Sequence, residues 1–184
     1  MKEIDDDYKI ILNKIVSNMN IELETNDYFM NYVINEAKKS KTELKIGAII
    51  VKNDIVIASG HRKRSFKDNR SFHAEEICFN NLNSSAKGGI MYLTLEPCIQ
   101  RNNKYQNVLS CTDLIIKNKI EKVVIGVLEI NPDICGRSIQ QLYDNGVNVS
   151  LFDYKYKKAL YNLLGKDFIE YQFNKWKLYK KGKK

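Results

Sequence analysis

The chain has 184 residues, 43% hydrophobic and 28% charged, which suits one well-buried soluble domain and is short for two. No stretch approaches the roughly 18 apolar residues of a membrane helix. The acidic opening Met1–Asp7 lacks the apolar run of a signal peptide. Cysteines 78, 98, 111 and 135 are therefore expected as reduced thiols in a cytoplasmic protein. The net charge of +8 is uneven: residues 1–27 are acidic, and the last ten carry six lysines. Such an end is read as a solvated tail, with contact to nucleic acid as the alternative.

In chain order, Ile11, Ile15 and Met19 predict a short accessory helix over 8–19. Asp27 is expected to cap a second helix that places Phe29, Val33 and Ala37 on one face. Ile46–Lys52 and Ile55–Gly60 read as a β-hairpin turning at Asn53-Asp54. A basic loop, 61–72, runs into a helix opening at His73. Ile90–Leu95 is an apolar strand, and a polar segment from Ile99 to Ser110 leads to a short helix through Leu114, Ile115 and Ile116. Val123–Leu128 and Val147–Phe152 are further strands, separated by a helix Arg137–Asn145 that stops at Gly146. A last helix covers 154–172, interrupted by Gly165. The order implies an α/β fold, with a five-stranded mixed sheet between helices and its last two strands parallel. Residues 1–26 form an accessory segment, 27–172 the domain and 173–184 the basic tail.

The chemistry concentrates in His73-Ala74-Glu75, Glu96-Pro97-Cys98 and Cys111. One histidine and two cysteines can hold Zn²⁺ and leave a fourth position open, as a catalytic zinc requires. Glu75, two residues after the histidine, can move protons without ligating the metal. Helix starts at Cys111 and His73 favour thiolate over thiol nearby. Cys78 lies more than a turn beyond His73 and is read as a core residue rather than a fourth ligand. Cys135 has no assigned role. The set matches the zinc deaminase signature H-x-E…P-C-x-x-C, except that twelve residues separate the two cysteines.

Over about residues 27–170 the chain resembles the cytidine-deaminase-like superfamily. Within it, the chain is closest to the deaminase domain of riboflavin-pathway diaminohydroxyphosphoribosylaminopyrimidine deaminases. The resemblance is carried by Gly47-Ala48-Ile49-Ile50-Val51, His73-Ala74-Glu75 and Tyr92-Leu93-Thr94-Leu95-Glu96-Pro97-Cys98. Downstream, Val123-Val124-Ile125-Gly126-Val127, Asn131-Pro132, Gly136-Arg137 and Gly146-Val147 continue it. It implies a three-layer α/β/α fold, His73, Cys98 and Cys111 as zinc ligands, Glu75 as proton shuttle, Asn131 at the ribosyl group, and a homo-oligomer. The chain departs from the branch before its first strand, where Glu43-Leu44-Lys45-Ile46-Gly47 lacks the family's asparagine and proline. It departs again between the two cysteines, and at Glu129, where the family has aspartate.

Positive charge flanks the expected site: Arg62, Lys63, Arg64, Lys67 and Arg70 in the loop that starts at His61, and Arg101 and Lys104 between the cysteines. Together with His61 they suit a phosphorylated small molecule, which arginine grips through a planar fork. The expected function is zinc-dependent deamination of a small pyrimidine nucleotide or ribosyl-phosphate pyrimidine. Two alternatives stay open: deamination of a base in RNA or single-stranded DNA along a basic track, and a non-catalytic zinc-binding interaction module.

Overall fold

A computed structural model describes residues 21–68, 70–100, 108–129 and 135–182, so the helix expected over 8–19 lies outside the described residues. Helix α1, Asp27–Lys38, is capped by Asn26, whose side chain accepts from the Tyr28 amide at 3.2 Å. The cap is thus Asn26 rather than the expected Asp27. Asp27 instead fills the first turn, where its charge complements the helix dipole. The buried face of α1 carries Phe29, Met30, Val33, Ile34 and Ala37, and also Glu36.

Strands β2 (Gly47–Lys52) and β3 (Ile55–His61) pair antiparallel around Asn53 and Asp54. Both turn residues have positive φ, 51° and 59°, as a tight hairpin turn requires. On its other side β2 pairs antiparallel with β6 (Ile90–Leu95). Strands β6, β7 (Lys122–Val127) and β8 (Asn148–Phe152) then run parallel, including the pairing expected for the last two. Among the described residues the sheet has six strands rather than the expected five, and with β1 (Glu22–Glu24) at one edge the order is β1-β8-β7-β6-β2-β3. The addition is β1, parallel to β8 and inside the segment set aside as accessory. Its Glu-Leu-Glu sequence is too short to show an alternating pattern. A Lys122–Glu24 ion pair at 3.0 Å secures it.

Helices cover both faces, giving the three layers. Glycine packing fixes the two sides: a Cβ on Gly47 would meet Val33 and Ala37 of α1, and one on Gly60 would meet Ala74 and Cys78. Those two residues belong to α2 (Ala74–Asn80), which lies with α3 (Cys111–Lys117) and α4 (Arg137–Asp144) on the face opposite α1. Helix α5 (Lys157–Leu164) packs beside α1. Gly165, with φ 78° and ψ 154°, ends α5 and separates it from α6 (Lys166–Gly182). The last helix therefore divides at the expected glycine and continues past residue 172. Between the layers lie fully buried Met30, Ile49, Ile50, Leu93, Ile125 and Leu160. Among the described residues no helix is long and apolar enough to cross a membrane.

Strands β3, β6, β7 and β8 share one direction, so His61, the residues after Leu95 and those after Val127 meet at one end of the sheet. The loop after β3 adds a small hairpin, β4 (Lys63–Arg64) with β5 (Ser71–Phe72), which delivers the chain to α2. Open α/β sheets bind ligands outside the carboxyl ends of their strands.

Candidate metal centre

Each donor is held by a local feature of the backbone. His73 is the N-cap residue of α2, with extended φ −74° and ψ 153°. Cys98 follows β6 through Glu96-Pro97, and its carbonyl accepts from the Thr112 amide at 3.1 Å and the Thr112 hydroxyl at 3.0 Å. Those bonds seat the start of α3 against the β6 loop. Ser110 caps α3, accepting from the Asp113 amide at 3.0 Å, and Cys111 is the first helical residue. The Cys111 amide points at Cys98 Sγ, 3.5 Å away.

The result is a cluster of one imidazole and two thiols whose donor atoms all lie within 4.8 Å of one another. His73 Nδ1 is 3.6 Å from Cys98 Sγ and 3.4 Å from Cys111 Sγ. A tetrahedral zinc with bonds of about 2.0 Å to nitrogen and about 2.3 Å to sulfur spaces such donors by roughly 3.6 Å. The residues fit a zinc ion and leave one position open. The thiol of Cys98 is lowered to about 4 by a hydrogen bond from Cys111 and by His73, against its burial, so the cluster already favours the ligating thiolate.

Glu75, in the first turn of α2, is buried and in hydrogen-bonding reach of Cys111. Burial raises its carboxyl above the ordinary range, against the pull of His73. Cys78 is fully buried in the core with its thiol raised by desolvation, and it stands outside the metal cluster as expected.

A second acidic residue carries weight that its sequence did not announce. Glu96 is buried, accepting from Ser138 Oγ at 2.7 Å, the Glu129 amide at 3.0 Å and the Gly136 amide at 3.2 Å. It draws the chain after β7 and the start of α4 onto the end of β6. Burial nevertheless lifts its carboxyl to about 7. Beside it Glu129, also raised to about 7 by burial and by Glu96, accepts a hydrogen bond from Gln172 of α6. Glu96, Cys98 and Glu129 share a small cavity of about 110 Å³ at the metal cluster. The sequence set Glu96 in the Glu96-Pro97-Cys98 segment but gave it no role of its own.

His61, Arg62 and Arg64 come together as expected, lining a groove of about 630 Å³ with Lys39, Lys41 and Phe66. Gly60, just before His61, packs on the Ala74 carbonyl next to His73, whereas the His61 side chain turns toward α1. His61 Nδ1 is 2.8 Å from Glu36 Oε1. Arg70 bonds Glu76 at 2.8 Å and stacks over Phe72, so that charge braces α2. The expected contacts Arg101, Lys104 and Asn131 lie outside the described residues.

Residues 23–127 match the cytidine and deoxycytidylate deaminase zinc-binding region. The chain belongs to this family. It is 33% identical over 106 residues to the diaminohydroxyphosphoribosylamino-pyrimidine deaminase of Buchnera aphidicola subsp. Schizaphis graminum, covering 58% of this chain and 67% of that protein. It is 30% identical over 132 residues to the riboflavin biosynthesis protein RibD of Aquifex aeolicus, covering 70% of this chain. There it spans only 35% of the relative's length. Among solved structures, Acinetobacter baumannii RibD superposes with a TM-score of 0.64 at 27% identity, over 79% of this chain and 39% of that one. The fold and the family expected from the motifs are thereby established, with six strands in the sheet.

Proposed function

We propose that this chain catalyses zinc-dependent hydrolytic deamination of a small pyrimidine nucleotide or ribosyl-phosphate pyrimidine, with release of ammonia. The observation that carries the reading is the three-donor cluster with buried Glu75 against it. A zinc ion held by His73, Cys98 and Cys111 supplies Lewis-acid activation of water at neutral pH. Glu75 accepts the proton that water gives up as oxygen bonds to the amidine carbon. It returns protons to the ring nitrogen and to the amine, which leaves as ammonia while the carbon becomes a carbonyl. A carboxyl whose proton affinity is raised by burial suits both halves of that exchange.

The basic groove, lined by His61, Arg62 and Arg64, supports a phosphorylated substrate. Arg101, Lys104 and Asn131 complete the proposed contacts. The relatives named for a diaminohydroxyphosphoribosylamino-pyrimidine favour the ribosyl-phosphate form. A homo-oligomer in the cytoplasm, built on a 27–172 domain, belongs to the same proposal. A second reading, deamination of a base in RNA or single-stranded DNA, is favoured by Phe66, which is fully exposed among the groove's cations.

The test is ammonia release by zinc-loaded wild type and Glu75→Ala. The panel holds pyrimidine nucleosides, nucleotides, riboflavin-pathway intermediates and single-stranded oligonucleotides. Release from a phosphorylated monomer, abolished in Glu75→Ala, establishes the proposed reaction. Release from oligonucleotides alone moves the assignment to the second reading. Bound zinc with no turnover on the whole panel favours a non-catalytic zinc-binding module.

A further inference from the structure

Glu36 breaks the pattern of its own helix. The remaining buried residues of α1 are apolar, yet Glu36 is only 3% exposed. Burying a carboxylate costs several kcal/mol, and a well-packed apolar side chain in its place is often neutral or stabilising. A residue that gains so little stability in place of a hydrophobe points to a role in the neighbouring site.

Its two oxygens hold two different nitrogen groups. Oε1 meets His61 Nδ1 at 2.8 Å, and Oε2 takes the ammonium of Lys39. Both partners line the 630 Å³ groove. A carboxylate at Nδ1 requires the proton on that nitrogen, which leaves Nε2 as the ring's remaining polar atom. The His61 side chain keeps 20% of its surface exposed.

We propose that Glu36 is the positioning residue of the anion-binding groove, orienting His61 and Lys39 so that both meet a phosphate group of the substrate. The imidazolium then bridges two anions, with Nδ1–H donating to Glu36 and Nε2–H donating to a phosphate oxygen. The second ring proton comes from solvent. Lys39, held at its ammonium by the other carboxylate oxygen, adds a charge with less freedom to lose on binding. The proposal rests on the reading that the groove takes the substrate's phosphate.

The chain has two histidines, so ¹⁵N-histidine NMR of the zinc-loaded full chain resolves His61 from His73. Inorganic phosphate is the probe, titrated into wild type, Glu36→Leu and Glu36→Gln. In wild type, phosphate is expected to move His61 Nε2 to its protonated shift. Glu36→Leu is expected to weaken phosphate binding about tenfold or more, the loss of one charge-assisted hydrogen bond. Glu36→Gln keeps an acceptor for Nδ1–H and should bind between the two. His73 resonances that stay unchanged show that fold and metal are intact. If Glu36→Leu fails to fold, Glu36→Gln carries the test by its weakened binding. Equal phosphate affinity and equal His61 shifts in the variants would overturn the role of Glu36 alone. No response in wild type would overturn the phosphate groove itself, and ammonia release would still judge the deaminase reading.

Discussion

Gly60 and Cys78 set how closely α2 lies on the sheet: a Cβ added to Gly60 would stand 2.4 Å from the Cys78 amide nitrogen and 2.5 Å from the Ala74 carbonyl. Both obstacles are helix backbone, so the helix must move. Because His73 caps that helix, the movement reaches the metal cluster. Gly60→Ala is expected to cost about 1–3 kcal/mol in urea denaturation and to weaken zinc retention against a chelator. Gly146→Ala serves as comparison, since its Cβ meets nothing within 4 Å and its φ of +74° alone is unfavourable. That variant should lose about 1–2 kcal/mol and keep its zinc.

Ser138 anchors Glu96 from α4 through its side-chain hydroxyl, beside the backbone amides of Glu129 and Gly136. Ser138→Ala removes it from a buried carboxyl. A loss of about 1–3 kcal/mol is expected in the unfolding midpoint, with zinc stoichiometry unchanged. A variant as stable as wild type would show that Glu96 finds a substitute donor.

Cys98 offers a chemical readout of the cluster. Its thiol is held low by Cys111 and His73, while burial holds Cys78 high. In metal-free protein, iodoacetamide should alkylate Cys98 at pH 6, where an ordinary thiol near 8.5 is almost wholly protonated. Cys78 should stay unmodified, and zinc should protect Cys98. Peptide mass mapping after a timed pulse distinguishes the sites. Uniform reaction of the cysteines, or no reaction at Cys98, would contradict the geometry.

The edge strand β1 should depend on pH through Glu24. Burial pushes that carboxyl up, but hydrogen bonds from the Asn26 amide, Lys122 and the Thr25 amide bring it below the ordinary 4.5. A depressed acid stabilises the fold above its unfolded value, and the contribution disappears as pH falls through the lowered folded value. Glu24→Gln is therefore expected to lower stability by about 0.5–1.5 kcal/mol at pH 7 and by much less at pH 3. Urea midpoints at the two pH values give the comparison.

The layers were legible because β2, β6 and β7 are short apolar runs between clear turn signals, and Gly146 and Gly165 both mark helix ends with positive φ. The meeting of His73, Cys98 and Cys111 was legible in residue type and spacing. Three features were hidden for physical reasons. Strand β1 is stabilised by pairing with β8 and by one ion pair, not by a pattern in its three residues. The cap at Asn26 competed with an equally plausible Asp27 beside it. The contacts of Glu36 with His61, and of Glu96 with Ser138, join residues far apart in the chain, which no local periodicity reports.

All three candidate metal donors fall between residues 73 and 111, ahead of β7 and β8 in the chain. A bound ion therefore cross-links only the middle of the polypeptide. During synthesis every donor has been made before either of those strands exists. Metal capture can then precede completion of the sheet, with the Ser110-capped start of α3 already drawn to Cys98 as the later strands dock. Chelation, by the same logic, loosens α2, α3 and the end of β6 first and leaves the β1–β8 edge to its own hydrogen bonds.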